Sequence, residues 1–514
     1  MSFLEEARAL GYEIELRAPG FSRPDLGVSM PSVYAVTGFG SSMLLREDDL
    51  DVWRALVSPE QHQARLTRIS HGPVEVPPPP PPVVSGPIPG AIPGAPSRNY
   101  PQMATTLDLP AAGYVEEEYL FEGRSAGWAT PELRDGHGLS MGHRYRTRML
   151  VRRPADPIEF SGTVVVEWLN VSAAANVDQL WLEVGEELLA RRIAYVGVSA
   201  QRLGVHAAET GLRDWCPKRY GSLDLTDGGA VLDDSLCYDI YSQAAKAVRG
   251  HSSVKPLGPL VPRTVLAYGG SQSAMRLRLY YNSVHPQARI FDGFALALAA
   301  GAMRTDLETP AFRIWSETEL LREAAASRQP DTAALRTWEV AGSSHLSYRM
   351  ASAREPLVAR GDVADNPWEI AARPPLSRVP WGQALVAGFE HLVRWADGGE
   401  PPPSAPQIEV RPGDGGRMEA IRDARGNALG GLRLSQHEVA VACNRGLNEG
   451  PGWAPLWGSH EPFDTATLRA LYPTRSAYVD RVRAVDTRNL DRGYLTEDAA
   501  AENLIAAETE WLGG

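Results

Sequence analysis

The chain has few of the features that mark exported, disulfide-bonded or membrane-spanning proteins. It contains only 3 cysteines in 514 residues, and the spacing of Cys216, Cys237 and Cys443 matches neither a metal site nor a disulfide framework. Cys216 and Cys237 flank one loop-like segment and could pair in an exported protein, but in a cytoplasm they stay thiols. No apolar run reaches the roughly 18 residues of a transmembrane helix. The acidic start, "MSFLEEARAL", lacks the basic and apolar regions of a signal peptide. We therefore expect a cytoplasmic protein with free thiols and no membrane partner.

Positive charge is also scarce. The chain carries 51 Lys and Arg against 63 Asp and Glu, which gives a formal net charge of −12. Nucleic-acid-binding proteins usually present a basic face, so we expect no nucleic-acid partner. With 43% hydrophobic and 22% charged residues, the chain has the composition of a globular protein with a sizeable core.

Proline divides the chain into regions. The run Pro77–Pro82 and the Pro-rich segment after it favour an extended backbone, so residues 76–98 are predicted to be a linker. Residues 1–75 form an N-terminal extension of unreadable role, residues 99–350 the core, and residues 351–514 a mostly helical region. We expect that last region to be integrated with the core, packing on or over the site.

Eight apolar, β-branched segments follow the linker, and helix-like segments separate several of them. The first two alternate polar and apolar residues as antiparallel strands do, whereas the later ones are typical of buried parallel strands. Such alternation predicts an α/β fold: an eight-stranded, mostly parallel sheet with helices on both faces, in the strand order of an α/β-hydrolase. The predicted strands cover residues 114–123, 145–154, 162–170, 193–200, 264–270, 291–299, 311–317 and 336–342.

The segment "VLAYGGSQSAMRL" at residues 265–277 resembles a nucleophile elbow, in which a tight strand-to-helix turn presents a serine. The positions two before and two after the nucleophile must be small. Around Ser271 they are Gly269 and Ser273; around Ser273 they are Ser271 and Met275, which is too large. Ser271 is therefore the candidate nucleophile.

A serine nucleophile needs a base and an acid, which follow it in the chain in this fold. Among the 11 histidines, His345 directly follows a predicted strand in the right order. The preceding strand ends in "WSETE", which offers Glu317 and Glu319. Glu319 stands three residues after the small Ser316 and is preferred, but Glu317 stays possible. His206 could line a pocket, although a surface position is favoured, and His285 fits a structural or exposed role.

The oxyanion hole of such a site needs two backbone N–H donors. Gln272, directly after Ser271, supplies one, and Asn170 or Val171, after the third predicted strand, supplies the other. Trp168, Trp181 and Gln201 are candidates for lining the substrate pocket, with burial in the core favoured for both tryptophans.

The chain resembles a large, mostly bacterial family of α/β-hydrolase domain proteins. The resemblance lies in segments such as "GYVEEEYLFEG", "GTVVVEWLNVS", "GGSQSA", "WEVAGSSH" and "RDARGNALGGLR", which span roughly residues 86–510. It implies Ser271 as nucleophile, His345 as base, an acid within "SETE", and no metal or organic cofactor. The longer segment 216–237 departs from the pattern, and the first 75 residues lie outside it.

Together these features predict a serine hydrolase (carboxylesterase-like) that cleaves a small-molecule carboxylic ester or lactone through an acyl-enzyme on Ser271. The alternatives are an acyltransferase with the same triad and a catalytically inactive binding protein of this fold. The oligomeric state is not readable from the sequence.

Overall fold

The structure is a computed structural model, and it describes residues 3–18, 21–23, 28–38, 41–70, 72–92, 98–365, 368–413 and 417–509. The chain divides into two compact units. The first comprises Met1–Trp181, Gly185–Asp292 and Pro356–Asp365, and the second Leu182–Val184, Gly293–Glu355 and Asn366–Gly514. Within the described ranges, no helix combines the length and the apolarity needed to cross a membrane.

The N-terminal extension of the first unit has a small hydrophobic core of its own. Strands β1, β4 and β5 form an antiparallel sheet, and β2 pairs with β3. Tyr12, Met43, Trp53 and Leu56 are buried in one apolar cluster, which explains how so short a segment folds here. The elements are α1 (Phe3–Ala9), β1 (Glu13–Ala18), β2 (Phe21–Arg23), β3 (Val28–Met30), β4 (Val33–Gly38), β5 (Ser41–Arg46), α2 (Leu50–Val57) and α3 (Pro59–Ser70).

The rest of the first unit is an α/β structure. Its elements are β6 (Val83–Ser85), β7 (Tyr114–Ala129), β8 (His137–Pro154), β9 (Thr163–Trp168), α4 (Gln179–Ala190), β10 (Ala194–Val198), α5 (Arg202–His206), α6 (Leu212–Trp215), α7 (Pro217–Tyr220), α8 (Cys237–Val248), β11 (Thr264–Gly270), α9 (Gln272–Leu279) and α10 (His285–Ala288). The six strands lie in the order β11-β9-β10-β8-β7-β6. β9 pairs in parallel with β10 and β11, whereas β6, β7 and β8 pair antiparallel. Every residue of β9, β10 and β11 is buried, as the apolar runs of a sheet covered on both faces require.

The second unit contains three parallel strands, β12, β13 and β14, and the C-terminal helices. β13 pairs in register with both of its neighbours. A separate apolar cluster that includes Val439, Leu468, Tyr472 and Val482 packs α15, α16 and α17 together. The elements are β12 (Gly293–Ala297), β13 (Ala311–Ser316), α11 (Glu317–Arg322), β14 (Leu335–Val340), α12 (Tyr348–Arg360), α13 (Trp381–Ala396), β15 (Val410–Pro412), β16 (Met418–Ala420), α14 (Ser435–Glu438), β17 (Ala442–Arg445), β18 (Ser459–Pro462), α15 (Thr465–Leu471), α16 (Arg475–Asp491) and α17 (Glu497–Thr509).

All eight predicted strands are present, as β7 to β14, and their parallel and antiparallel character is confirmed. The sheet of the first unit also contains a strand that the sequence did not predict. This strand, β6, lies in the predicted linker and pairs with Leu120–Glu122 of β7 at the edge of the sheet. An edge position tolerates the prolines around it, because one side of the strand needs no N–H donors. The division into four regions stays a prediction. All three cysteines are buried, and within the described residues none of them is in a disulfide.

Candidate active site

Ser271 occupies the sharp turn between β11 and α9. The strand ends at Gly270 and the helix begins at Gln272, so one residue makes the whole connection. Ser271 has φ 57° and ψ −121°, a backbone conformation that a side chain makes unfavourable by about 1–3 kcal/mol. Such strain persists only where the surrounding structure imposes it, and here the buried strand and the helix do so. The turn presents a half-buried hydroxyl at the end of a parallel strand, which is where α/β folds bind their ligands.

The residues on either side of Ser271 explain how so tight a turn closes. A Cβ atom added to Gly269 would lie 2.8 Å from the carbonyl oxygen of Ser273 and 2.9 Å from the Ala274 nitrogen, so only glycine fits. The buried Ser273 Oγ accepts the Gly270 N–H at 3.0 Å and donates to the Gly270 carbonyl at 2.9 Å. Ser273 thus holds the turn together, and its hydroxyl is already engaged.

The loop after β9 lies against this turn. The side-chain amide of Asn170 donates to the Gly270 carbonyl at 3.0 Å, while its backbone N–H donates to Val177 O at 3.0 Å. The expected donor role of the Asn170 N–H must therefore be corrected, because that N–H already has a partner within its own loop. The next residue, Val171, points its N–H at Gln272 Oε1 over a long 3.4 Å. A contact of that length is weak, so a better acceptor can replace the amide oxygen.

Gln201 holds the Gln272 side chain in this orientation. The Gln201 Oε1 atom accepts from Gln272 Nε2 and from Trp168 Nε1, each at 3.1 Å. The Gln201 amide nitrogen lies 3.4 Å from Asp234 Oδ2, and the same carboxylate oxygen pairs with Arg276 at 3.2 Å. This buried chain of hydrogen bonds fixes which end of the Gln272 amide faces Val171. Gln201 therefore supports the turn. No pattern in the sequence indicated that Asp234 and Arg276 take part in this chain of hydrogen bonds.

The two tryptophans named as pocket candidates lie in the core, as favoured. Trp168 is fully buried and packs against Tyr238, Tyr241 and Tyr280. Trp181 is 4% exposed, donates to Thr105 Oγ1 at 2.8 Å and stacks on the Arg152 guanidinium. Both rings act by packing rather than by presenting a surface to a ligand.

In the second unit, His345 and Glu319 form a hydrogen-bonded pair. The Nδ1 atom of His345 lies 2.5 Å from Glu319 Oε1. The other carboxylate oxygen of Glu319 accepts from Ser316 N at 3.1 Å and Ser316 Oγ at 2.6 Å, in a capping box that begins α11. The His345 backbone N–H donates to Thr318 Oγ1 at 3.0 Å. A buried carboxylate fixed at both oxygens orients the imidazole with its Nδ1 protonated, which leaves Nε2 as the basic nitrogen.

Glu317 has a different role. Its Oε1 atom pairs with Arg422 at 2.5 Å and accepts from Gly446 N at 3.1 Å, while Oε2 accepts from Gly342 N at 2.9 Å. The carboxylate is fully buried and joins α11 to the later C-terminal segments. Of the two acids that the sequence left open, the structure therefore places Glu319 at the histidine and Glu317 in an ion pair.

His206 and His285 are held in structural positions. Burial lowers the pKa of each to about 4. His206 Nε2 accepts the Leu225 N–H at 3.1 Å, and the His285 ring stacks on Tyr281. Neither is poised to exchange a proton near neutral pH. Within the described ranges, no cluster of three or more His, Cys, Asp or Glu side chains is arranged to hold a metal ion.

Comparisons with known proteins identify the family. The model of the family described as "Alpha/beta hydrolase domain" matches residues 84–505, whereas no curated protein matches the chain significantly. Among solved structures, a serine hydrolase without a lid from Xanthomonas campestris is 14% identical, with a TM-score of 0.27 over 47% of this chain and 97% of its own. A thermophilic esterase from Thermogutta terrifontis is 15% identical, with a TM-score of 0.23 over 43% of this chain and 90% of its own. These scores are low, so the assignment depends on the family match, which covers most of the chain. The chain belongs to the alpha/beta hydrolase domain family.

Proposed function

We propose that this protein is a serine hydrolase that cleaves a carboxylic ester or lactone. Membership of the family supports a hydrolase in general, and the observation that carries the finer proposal is the strained turn that presents the Ser271 hydroxyl. Its partner would be His345, oriented by Glu319. The pairing of Ser271 with His345 is itself part of the proposal, supported by the chain order of serine, acid and histidine.

In the proposed reaction, Ser271 Oγ attacks the ester carbonyl carbon while His345 Nε2 takes the hydroxyl proton. The tetrahedral intermediate collapses, and the same proton passes to the leaving alcohol, or to the ring alkoxide of a lactone. A water molecule then attacks the acyl-Ser271 ester, its proton again moving through His345. The carboxylic acid leaves and the free serine is restored.

The oxyanion is assigned to two backbone N–H groups. The Gln272 N–H is the first of α9, and the first N–H groups of a helix have no partner within that helix. The Val171 N–H is the second, and its long contact with Gln272 Oε1 supports exchange for a more strongly charged acceptor. Removing one donor of this kind typically lowers kcat by about 10²–10³-fold.

The predicted cytoplasmic location stays a prediction.

The proposal is tested by the Ser271→Ala variant on a panel of short 4-nitrophenyl esters, aliphatic lactones and amides. We expect the variant to lose ester hydrolysis while it keeps the wild-type circular dichroism spectrum. The His345→Ala variant should lose as much, and the double variant little more, because residues that act as a unit are not additive. Free carboxylic acid should be the product even with added alcohol. Wild-type turnover by Ser271→Ala, or fully additive losses, would refute the assignment.

A further inference from the structure

A cavity of about 600 Å³ lies in the first unit beside the start of α9. Gln272, the residue after Ser271, and Met275, one turn later, lie in its lining. The volume is within the range of small-molecule sites, which is roughly 300–1,000 Å³. The cavity therefore adjoins the turn that presents the proposed nucleophile and is large enough for an organic ester.

The N-terminal extension supplies the wall across from α9. Arg17, Thr37, Ser42 and Leu44 of that extension lie in the cavity lining. The family match begins at residue 84, so this wall belongs to the part of the chain outside the match. Its contribution to the cavity is therefore a property that the family does not supply.

Buried contacts attach the extension to the core of the unit. Arg276 on α9 donates to the hydroxyl of Ser42 at 2.7 Å and to its carbonyl at 2.9 Å. Asp49 of the extension lies 3.5 Å from Arg202 on α5, and both side chains are less than 10% exposed. Because charged groups anchor it at two places, the wall has a defined position beside α9.

The cavity lining contains more positive than negative side chains. Four arginines and one glutamate lie in it. Arg278 is paired with that glutamate, Glu132, and Arg276 is engaged by Asp234 and Ser42. Two arginines remain, Arg17 from the N-terminal extension and Arg134 from the loop between β7 and β8. Arg134 is exposed. Among the described residues, Arg17 pairs with the well-exposed Glu15, and its buried Nε has no hydrogen-bond partner there.

We propose that Arg17 and Arg134 bind an anionic group of the substrate, a carboxylate carried by the ester, in the cavity between the N-terminal extension and α9. This inference depends on the proposed ester hydrolysis and names its substrate class. A guanidinium binds a carboxylate through two charge-assisted hydrogen bonds, and the buried Arg17 Nε supplies a donor that a ligand would satisfy. The carboxylate belongs to the acyl part or to the alcohol part of the ester, and the two sources are experimentally separable.

Two matched pairs of esters test the proposal. 4-Nitrophenyl hydrogen succinate against 4-nitrophenyl butyrate places the charge on the acyl part, and 3-carboxyphenyl butyrate against phenyl butyrate places it on the alcohol part. For one of the two pairs we expect the charged ester to have the higher kcat/KM. Arg17→Gln and Arg134→Gln should each lower the ratio of the charged to the neutral ester's kcat/KM roughly tenfold. The preference should weaken with added salt. The control Arg483→Gln, which changes an exposed arginine on α16, should keep the wild-type ratio.

Binding measured without turnover separates this inference from the proposed function. Calorimetry with succinate and with 3-carboxyphenyl butyrate on the Ser271→Ala protein should show binding that Arg134→Gln weakens. If the wild-type protein hydrolyses neutral esters through Ser271 but neither prefers nor binds a charged ester, the proposed anion site is refuted and the proposed hydrolase function is retained. If binding of these anions depends on Arg134 while the wild-type protein cleaves no ester, the proposed anion site is retained and the proposed hydrolase function is refuted. A charged-to-neutral ratio that is equal in Arg134→Gln and wild type overturns the assignment of the arginines.

Discussion

Replacing Glu319 and Glu317 by glutamine, one at a time, separates the acid of the proposed triad from its neighbour. The two side chains are two residues apart and both are buried, so the substitutions are matched in size and surroundings. In Glu319→Gln, the amide oxygen can still accept from Ser316, which turns the amide NH2 toward His345 Nδ1. The ring must then accept at Nδ1 and carry its proton on Nε2, which is the wrong tautomer for a base.

We expect Glu319→Gln to lower kcat by roughly 10³–10⁴-fold, or about 4–5.5 kcal/mol of transition-state stabilisation. Its stability should change little, because the hydrogen bonds to Ser316 survive. In Glu317→Gln, the amide NH2 must face Gly342 N–H or Arg422, and each of these is a donor. That clash and the lost ion pair should reduce the free energy of unfolding by about 2–4 kcal/mol, since the carboxylate is fully buried.

The assay combines steady-state hydrolysis of a short 4-nitrophenyl ester with thermal unfolding of both variants. The expected pattern is reciprocal: Glu319→Gln is stable and inactive, whereas Glu317→Gln is less stable but keeps kcat within about tenfold of wild type at a temperature where it is folded. Near-wild-type kcat for Glu319→Gln would refute its role. A folded but inactive Glu317→Gln would show that the acid is the other carboxylate.

Other predictions concern the turn and the buried histidines. Gly269→Ala should abolish ester hydrolysis, because the new methyl group meets backbone atoms of Ser273 and Ala274. Ser273→Ala should keep its activity and lower the free energy of unfolding by about 1–2 kcal/mol, measured by denaturant unfolding. An inactive Ser273→Ala beside an active Gly269→Ala would make Ser273 the nucleophile. Ser271→Gly should raise the melting temperature, since glycine relieves the strain at φ 57°; an unchanged or lower value would show that the turn is not strained. Burial holds the pKa of His206 and His285 at about 4, below the usual 6.5, so the folded state binds fewer protons than the unfolded state between these values. The contribution of each neutral histidine to the free energy of unfolding should therefore be fully present above pH 6.5. It should be lost toward pH 4 by about 1.4 kcal/mol per pH unit. In denaturant unfolding, the free energy of unfolding of His285→Asn should fall less steeply with decreasing pH than that of wild type.

The sequence predicted well those features that depend on local patterns. The apolar runs located all eight strands from β7 to β14, because buried strands are continuous and β-branched. The steric rule of the elbow separated Ser271 from Ser273, and the structure shows its cause in the close approach of Gly269 to the helix backbone. The strand β6 was missed because its signal is three residues long and surrounded by prolines.

Features that depend on contacts distant in sequence could not be predicted. Glu317 and Glu319 differ only in which partner the fold brings to them, and Arg422 lies 105 residues from Glu317. The Asn170 N–H is engaged because the loop folds back to Val177, which no spacing rule reveals. The wall that the N-terminal extension gives to the cavity also depends on distant contacts, since Arg276 and Ser42 are 234 residues apart.

The most direct test of the central claim is to treat the folded protein with a fluorophosphonate and locate the adduct by peptide mass spectrometry. Fluorophosphonates phosphonylate an activated serine much faster than an ordinary hydroxyl, so the site of rapid labelling identifies the nucleophile. The account predicts one adduct, on Ser271, formed in step with the loss of esterase activity and absent from His345→Ala. Labelling of Ser273 or another residue, or full ester hydrolysis by a protein that takes no label, would contradict it.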